Sequence, residues 1–200
     1  MNRPAFSLVC LMFAGLTLAI ARSATDQPQG AYDTVARFAQ DGRLLAPTGY
    51  REWIFLSSGL DMSYRKDSGM NHSMFDNVFV DPGAYRAFVR TGRWPEGTML
   101  VKEDRIASGK GSINQGGKFQ TSRLIAIEVH TKDTKRFNGG WAFFVFDSGG
   151  TEPAVQIPTS ADCYSCHGAH GAVDTTFVQF YPTLMSIAEQ KHTVAPDIHP

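Results

Sequence analysis

The chain has 200 residues, 42% of them hydrophobic, with 19 Lys+Arg balanced by 19 Asp+Glu. That balance gives no basis for a nucleic-acid or anionic-membrane partner, either of which calls for a basic patch. The apolar content suffices to bury a core, and the length fits one domain without repeats or a long linker.

Met1 to Ser23 begins with Arg3, continues as an apolar run from Phe6 to Ile20, and ends among the small residues Ala19, Ala21 and Ser23. A charged start, a short apolar stretch and a small-residue exit predict a secretory signal peptide over 1–23, leaving a single domain over 24–200. The run is short for a membrane span, so the mature form is expected to be exported, periplasmic and free of the membrane. Its removal leaves 17 Lys+Arg against 19 Asp+Glu, a net charge near −2.

Ala31 to Gln40 reads as a short helix with Val35 and Phe38 on one side and Gly42 after its end. Tyr50–Ser57 and Ser73–Val80 read as strands, the second stopped by Asp81-Pro82-Gly83. Tyr85–Thr91 is helical and closed by Gly92. Thr98–Ile106, Leu124–Thr131 and Trp141–Phe146 follow as strands, separated by the glycine-rich stretches Gly109–Gly117 and Asn138-Gly139-Gly140. Phe177–Gln190 reads as a helix bent near Pro182. Strands joined by short polar turns predict an antiparallel sheet: a mainly β (α+β) fold with flanking terminal helices and a C-terminal attachment segment.

Two cysteines remain after the leader, Cys163 and Cys166. A disulfide across two intervening residues closes too small a loop to stabilise much. Cys163-Tyr164-Ser165-Cys166-His167 instead matches C-x-x-C-H, the attachment pattern of c-type haem. Two thiols one helical turn apart suit the two vinyl groups on one porphyrin edge, and the next residue brings an imidazole beneath the ring as iron ligand. A redox dithiol lacks its usual βαβ setting, and zinc needs about four N/S ligands where only these residues and His170 cluster. The sixth iron position stays open on this reading: Met62, Met70, Met74, Met99 or Met185 would make an electron carrier, a vacancy a ligand-binding site.

Lys102 and Glu128 bear on that choice. Period-two alternation puts Lys102 on the face of Leu100, and Glu128 on the face of Leu124 and Ala126. A carboxylate beside an open iron can take protons from a bound molecule. The plain alternative is a cross-strand ion pair, contributing about 0.2–1 kcal/mol. His72, His130, His170, His192 and His199 suggest no role, and solvent-facing or loop positions are their default.

With these residues in place the sequence resembles the family of cytochrome P-460 and cytochrome c′-β. The resemblance runs through Tyr50-Arg51-Glu52-Trp53, Val78 to Pro82 with Tyr85, Gly97 to Glu103, Lys132-Asp133, Arg136-Phe137, Trp141-Ala142-Phe143, Cys163 to His167 and Phe180-Tyr181-Pro182. It implies an antiparallel β fold, usually a homodimer, with one five-coordinate haem c and an open distal pocket. The P-460 type oxidises hydroxylamine to nitrous oxide, and the resemblance implies for Lys102 its covalent bond to the porphyrin and for Glu128 its distal proton-transfer carboxylate. Electrons would pass to an external periplasmic acceptor. The c′-β type lacks the lysine bond, has an apolar cap, and binds nitric oxide or carbon monoxide. Near Asp76, where the P-460 type carries a distal arginine, this chain has Phe75-Asp76-Asn77, with Phe75 a candidate cap of the c′-β kind.

Overall fold

Five strands form one antiparallel sheet in chain order: β1 Ile54–Leu60, β2 Met74–Val80, β3 Met99–Ser108, β4 Phe119–Lys132 and β5 Trp141–Asp147. Three helices accompany them: α1 Pro82–Thr91, α2 Asp162–His170 and α3 Met185–Gln190. This computed structural model describes residues 36–64, 72–148 and 150–198, so the signal peptide expected over 1–23, Ala31–Val35, Met70 and His199 lie outside the described residues. The expected antiparallel, mainly β architecture is what the chain adopts. Among the described residues no helix is long and apolar enough to cross a membrane.

Alternation sorts the central strands into two apolar faces. On one, Val101, Ile127, Val129, Ala142, Phe144 and Phe146 meet Leu44, Tyr50, Trp53 and Ala154 from the flanking segments. On the other, Val80, Leu100 and Trp141 pack under α1 and the C-terminal segment, through Ala84, Phe88, Val178, Tyr181 and Leu184. Cover on both faces explains why β5 reads as a nearly unbroken apolar run, of which Val145 alone is exposed.

α1 starts three residues earlier than the sequence pattern indicated. Asp81 accepts a hydrogen bond from Ala84 N at 2.8 Å, and Pro82 takes the first helical position, where no N–H is needed. The same carboxylate accepts from Met99 N at 3.2 Å, tying the helix start to β3. Gly92 ends the helix in the left-handed region at φ 71, as expected of a C-terminal glycine.

Other segments differ from expectation. Residues 36–40 are not helical: Phe38 bridges to Leu44 across the turn at Asp41-Gly42, and Leu44 bridges on to Ala154. Tyr50–Glu52 is a 3-10 turn, and β1 begins only at Ile54. Val178–Phe180 is a second 3-10 turn, and α3 starts after Pro182 rather than running through it. β4 extends back to Phe119, with a register shift opposite Asp104 and Arg105. That bulge moves Leu124 away from the face of Glu128 and onto the opposite core.

Candidate functional site

The site forms where the cleft face of the sheet meets α2 and the segment after it. β3 and β4 pair so that Lys102 lies opposite Glu128, while β2 sets Val78 on the other side of Lys102. Glu128, His130 and Lys132 then share this face by alternation, as do Asp76 and Val78 on β2. Phe75 has the opposite parity on an unbroken strand, with Phe79 packed into the other core, so it does not cap the cleft.

α2 supplies the facing wall. Positions i, i+3 and i+4 share one helix face, which brings Cys163, Cys166 and His167 together on the cleft. None of the helix residues is fully buried, so this face borders open volume instead of packed side chains. Three adjoining lobes of about 220, 280 and 160 Å³ make up the cleft. Tyr64 walls the first and second, Lys102 and Phe177 the first and third, and Glu128, Phe143 and His167 the second and third. The sequence candidates Lys102, Glu128, Cys163, Cys166 and His167 therefore all reach one continuous cleft.

Electrostatics divide the cleft into an acidic end and a neutral end. Lys102 Nζ lies 3.1 Å from Asp104, 3.2 Å from Glu128 and 3.5 Å from Asp76. Burial works against its charge, but Glu128, Asp104 and Asp76 outweigh that penalty and raise its pKa above the ordinary value. Its single positive charge cannot balance three carboxylates. Burial, with Glu128 and Asp76 adding to it against the pull of Lys102, pushes Asp104 up to about 8.

At the other end, burial lowers the His167 pKa, only partly offset by its hydrogen bond to Thr175. His167 Nδ1 meets the Thr175 carbonyl at 2.8 Å. A neutral imidazole that donates from Nδ1 keeps its lone pair on Nε2, the arrangement of a metal-ligating histidine. Burial raises the Cys163 pKa, and both thiols are free rather than joined as a disulfide. Among the described residues, no group of three or more His, Cys, Asp and Glu side chains could hold a metal ion by itself. His170 stacks on Tyr64 at 4.3 Å instead of joining the thiols, which removes the cluster a zinc site requires.

These features fit a haem. Together the lobes offer the several hundred Å³ of a cofactor pocket, about 300–1,000 Å³ being usual. Cys163 and Cys166 stand at the edge of that space and His167 on its wall, with the apolar rings of Phe143, Phe177 and Tyr181 around it. Of the methionines, Met62 lines the lobe beside Lys102, whereas Met99 is buried in the opposite core.

His130 is the residue that sequence reasoning missed. Far from a loop, it is buried in β4, its ring 4.0 Å from Phe143 and 5.1 Å from His167. Burial drives its pKa well below the ordinary value, so it is neutral. Its parity with Glu128 was the one available signal, since both belong to the cleft face of β4.

No curated protein matches the chain. The family pattern of Cytochrome P460 matches residues 47–178, from just before Tyr50 through the cysteine motif to the start of the second 3-10 turn. That span takes in all five strands, Lys102, Glu128 and the Cys163–His167 motif, and covers well over half the chain. The chain belongs to the cytochrome P460 family and is a haem-binding cytochrome.

Proposed function

We propose that this protein is an exported, mono-haem c-type cytochrome that oxidises hydroxylamine to nitrous oxide and passes the electrons to an external periplasmic acceptor. Cys163 and Cys166 would hold the haem through thioethers, and His167 would ligate its iron through Nε2. The bound iron supplies a site for a small nitrogen ligand and a sink for its electrons. The chain's own residues supply the rest. Protons leave hydroxylamine together with electrons, so a base must stand at the open side of the cleft. Glu128 Oε2 sits 3.2 Å from Lys102 Nζ in the cleft that also receives His167, and this observation carries the reading.

Lys102 orients that carboxylate and, in the P-460 manner, would bond to the porphyrin and tune it. Such bonding needs a neutral amine, whereas the acidic groups around Lys102, Glu128 foremost, raise its pKa and hold it as an ammonium. This favours a second reading, a gas-binding protein for nitric oxide with an unmodified lysine and no catalytic base. A homodimer is proposed on the family resemblance.

Replacing Glu128 with Ala tests the first reading. Hydroxylamine-dependent reduction of an acceptor dye should vanish while haem content stays at the wild-type level. Turnover at the wild-type rate in that variant would refute the role of Glu128. Tryptic-peptide mass analysis of natively matured protein separates the two readings: a haem peptide tethered to the Lys102 peptide supports the oxidase, and a free Lys102 peptide supports the gas binder.

A further inference from the structure

The turn that follows α2 is anchored more heavily than its length requires. It packs back onto the helix end so closely that a Cβ on Gly171 would lie 2.7 Å from the His167 carbonyl oxygen and 2.8 Å from the Thr175 backbone. Only glycine fits that approach. Val173 and Thr176 bridge across the turn, with Asp174 at φ 53 between them. Three side-chain hydrogen bonds from outside then fasten it. Lys132 Nζ donates to Asp174 at 3.2 Å, Trp94 Nε1 donates to Thr176 Oγ1 at 2.7 Å, and His130 Nε2 shares a hydrogen bond with Thr175 Oγ1 at 3.2 Å.

Thr175 stands at the middle of this arrangement. Its hydroxyl is held by His130 and its carbonyl holds His167 Nδ1 at 2.8 Å. His130 has little freedom of its own, because it stacks on Phe143 with an interplanar angle of 13° and sits 4.4 Å from Trp141. The result is a rigid line from strand β4 through a threonine to the imidazole.

We propose that His130 and Thr175 are positioning residues for His167: His130 fixes the Thr175 hydroxyl, and so sets how closely the Thr175 carbonyl meets the imidazole Nδ1–H. The proposal rests on reading His167 as the axial haem ligand. A hydrogen bond at Nδ1 makes Nε2 a stronger electron donor, and partners of this type commonly tune a metal site. A firmly held carbonyl would stabilise the oxidised iron, and a slack one would weaken the bond from iron to imidazole.

The test uses haem-loaded protein. Thr175→Val keeps shape and carbonyl but removes the hydroxyl, and Thr175→Ser restores it. In Thr175→Val the iron–histidine stretching band should move to lower frequency and the midpoint potential should rise, with Thr175→Ser returning both to wild-type values. His130→Leu should shift both as Thr175→Val does, and His130→Gln, which keeps a polar group towards Thr175, should shift them less. Thr175→Val indistinguishable from wild type in both measurements, or Thr175→Ser shifted as far as Thr175→Val, overturns the proposal. A His167→Ala protein that kept the wild-type iron–ligand band would overturn the axial reading itself, an outcome distinct from failure at Thr175.

Discussion

Replacing Asp104 with Asn should change how stability depends on pH, and the structure fixes both sign and size. Asp104 is 3% exposed, pairs with Asp76 across β2 and β3, and faces a lysine already engaged with Glu128. Its pKa is pushed up to about 8, first by burial and then by the neighbouring carboxylates. In the unfolded chain an aspartate titrates near about 4. The folded state thus holds a proton between those limits that the unfolded state has lost. A group with a raised folded pKa contributes its full stability below the unfolded value and loses it as pH rises through the folded value. The loss is about 1.4 kcal/mol per pH unit while this site alone titrates. Asn carries no such proton and nearly matches Asp in shape. Urea unfolding of both proteins at about pH 5, 6 and 7 should show the wild-type advantage shrinking by about 2–3 kcal/mol across that range. A difference that stays constant with pH would refute the account of Asp104 as a buried, protonated carboxyl.

Other expectations follow from single contacts. Asp81→Ala removes the cap of α1 and strands the buried Met99 N–H, so urea unfolding should register a loss of about 2–4 kcal/mol. Phe144 is 1% exposed at the centre of the far core, and Phe144→Ala should cost about 3–5 kcal/mol by the same measurement. A loss below about 1 kcal/mol in either case would contradict the packing described. Trp94→Phe should keep the ring contact with Phe88, at 4.3 Å, but remove the indole hydrogen bond to Thr176 Oγ1. Amide exchange should then quicken around Thr176 while α1 stays protected.

Much of the sheet was legible because its signals are local. β2, β3 and β5 are rich in strand-forming residues and bounded by turn residues, and the structure moves their ends by only one or two positions. Misreadings arose where a local pattern served another purpose. Phe38 looked like one face of a helix, but it reaches over a turn to Leu44. Asp81-Pro82-Gly83 does stop β2, but the aspartate cap also makes Pro82 the start of α1, three residues before the expected Tyr85. Leu124 followed the alternation until a bulge turned it over, which no residue type announces.

In the cleft, the cysteine motif is contiguous and readable by itself, whereas strand parity gave Lys102 and Glu128 only as a cross-strand pair and the family resemblance supplied their roles. Asp104 and Asp76 were harder to weigh, because their importance comes from sharing one lysine across three strands. His130 was silent for a similar reason. Its place depends on which part of the distant C-terminal segment covers β4, and a strand does not encode that by itself.

Everything rests on a haem fixed to α2. The most direct check is the intact mass of the mature protein, made in a host that matures c-type cytochromes, unfolded in denaturant before measurement. One haem should remain attached through denaturation, with tryptic fragments placing it on the Cys163–His167 peptide. Protein that is colourless, or that releases its haem on unfolding, would contradict the account.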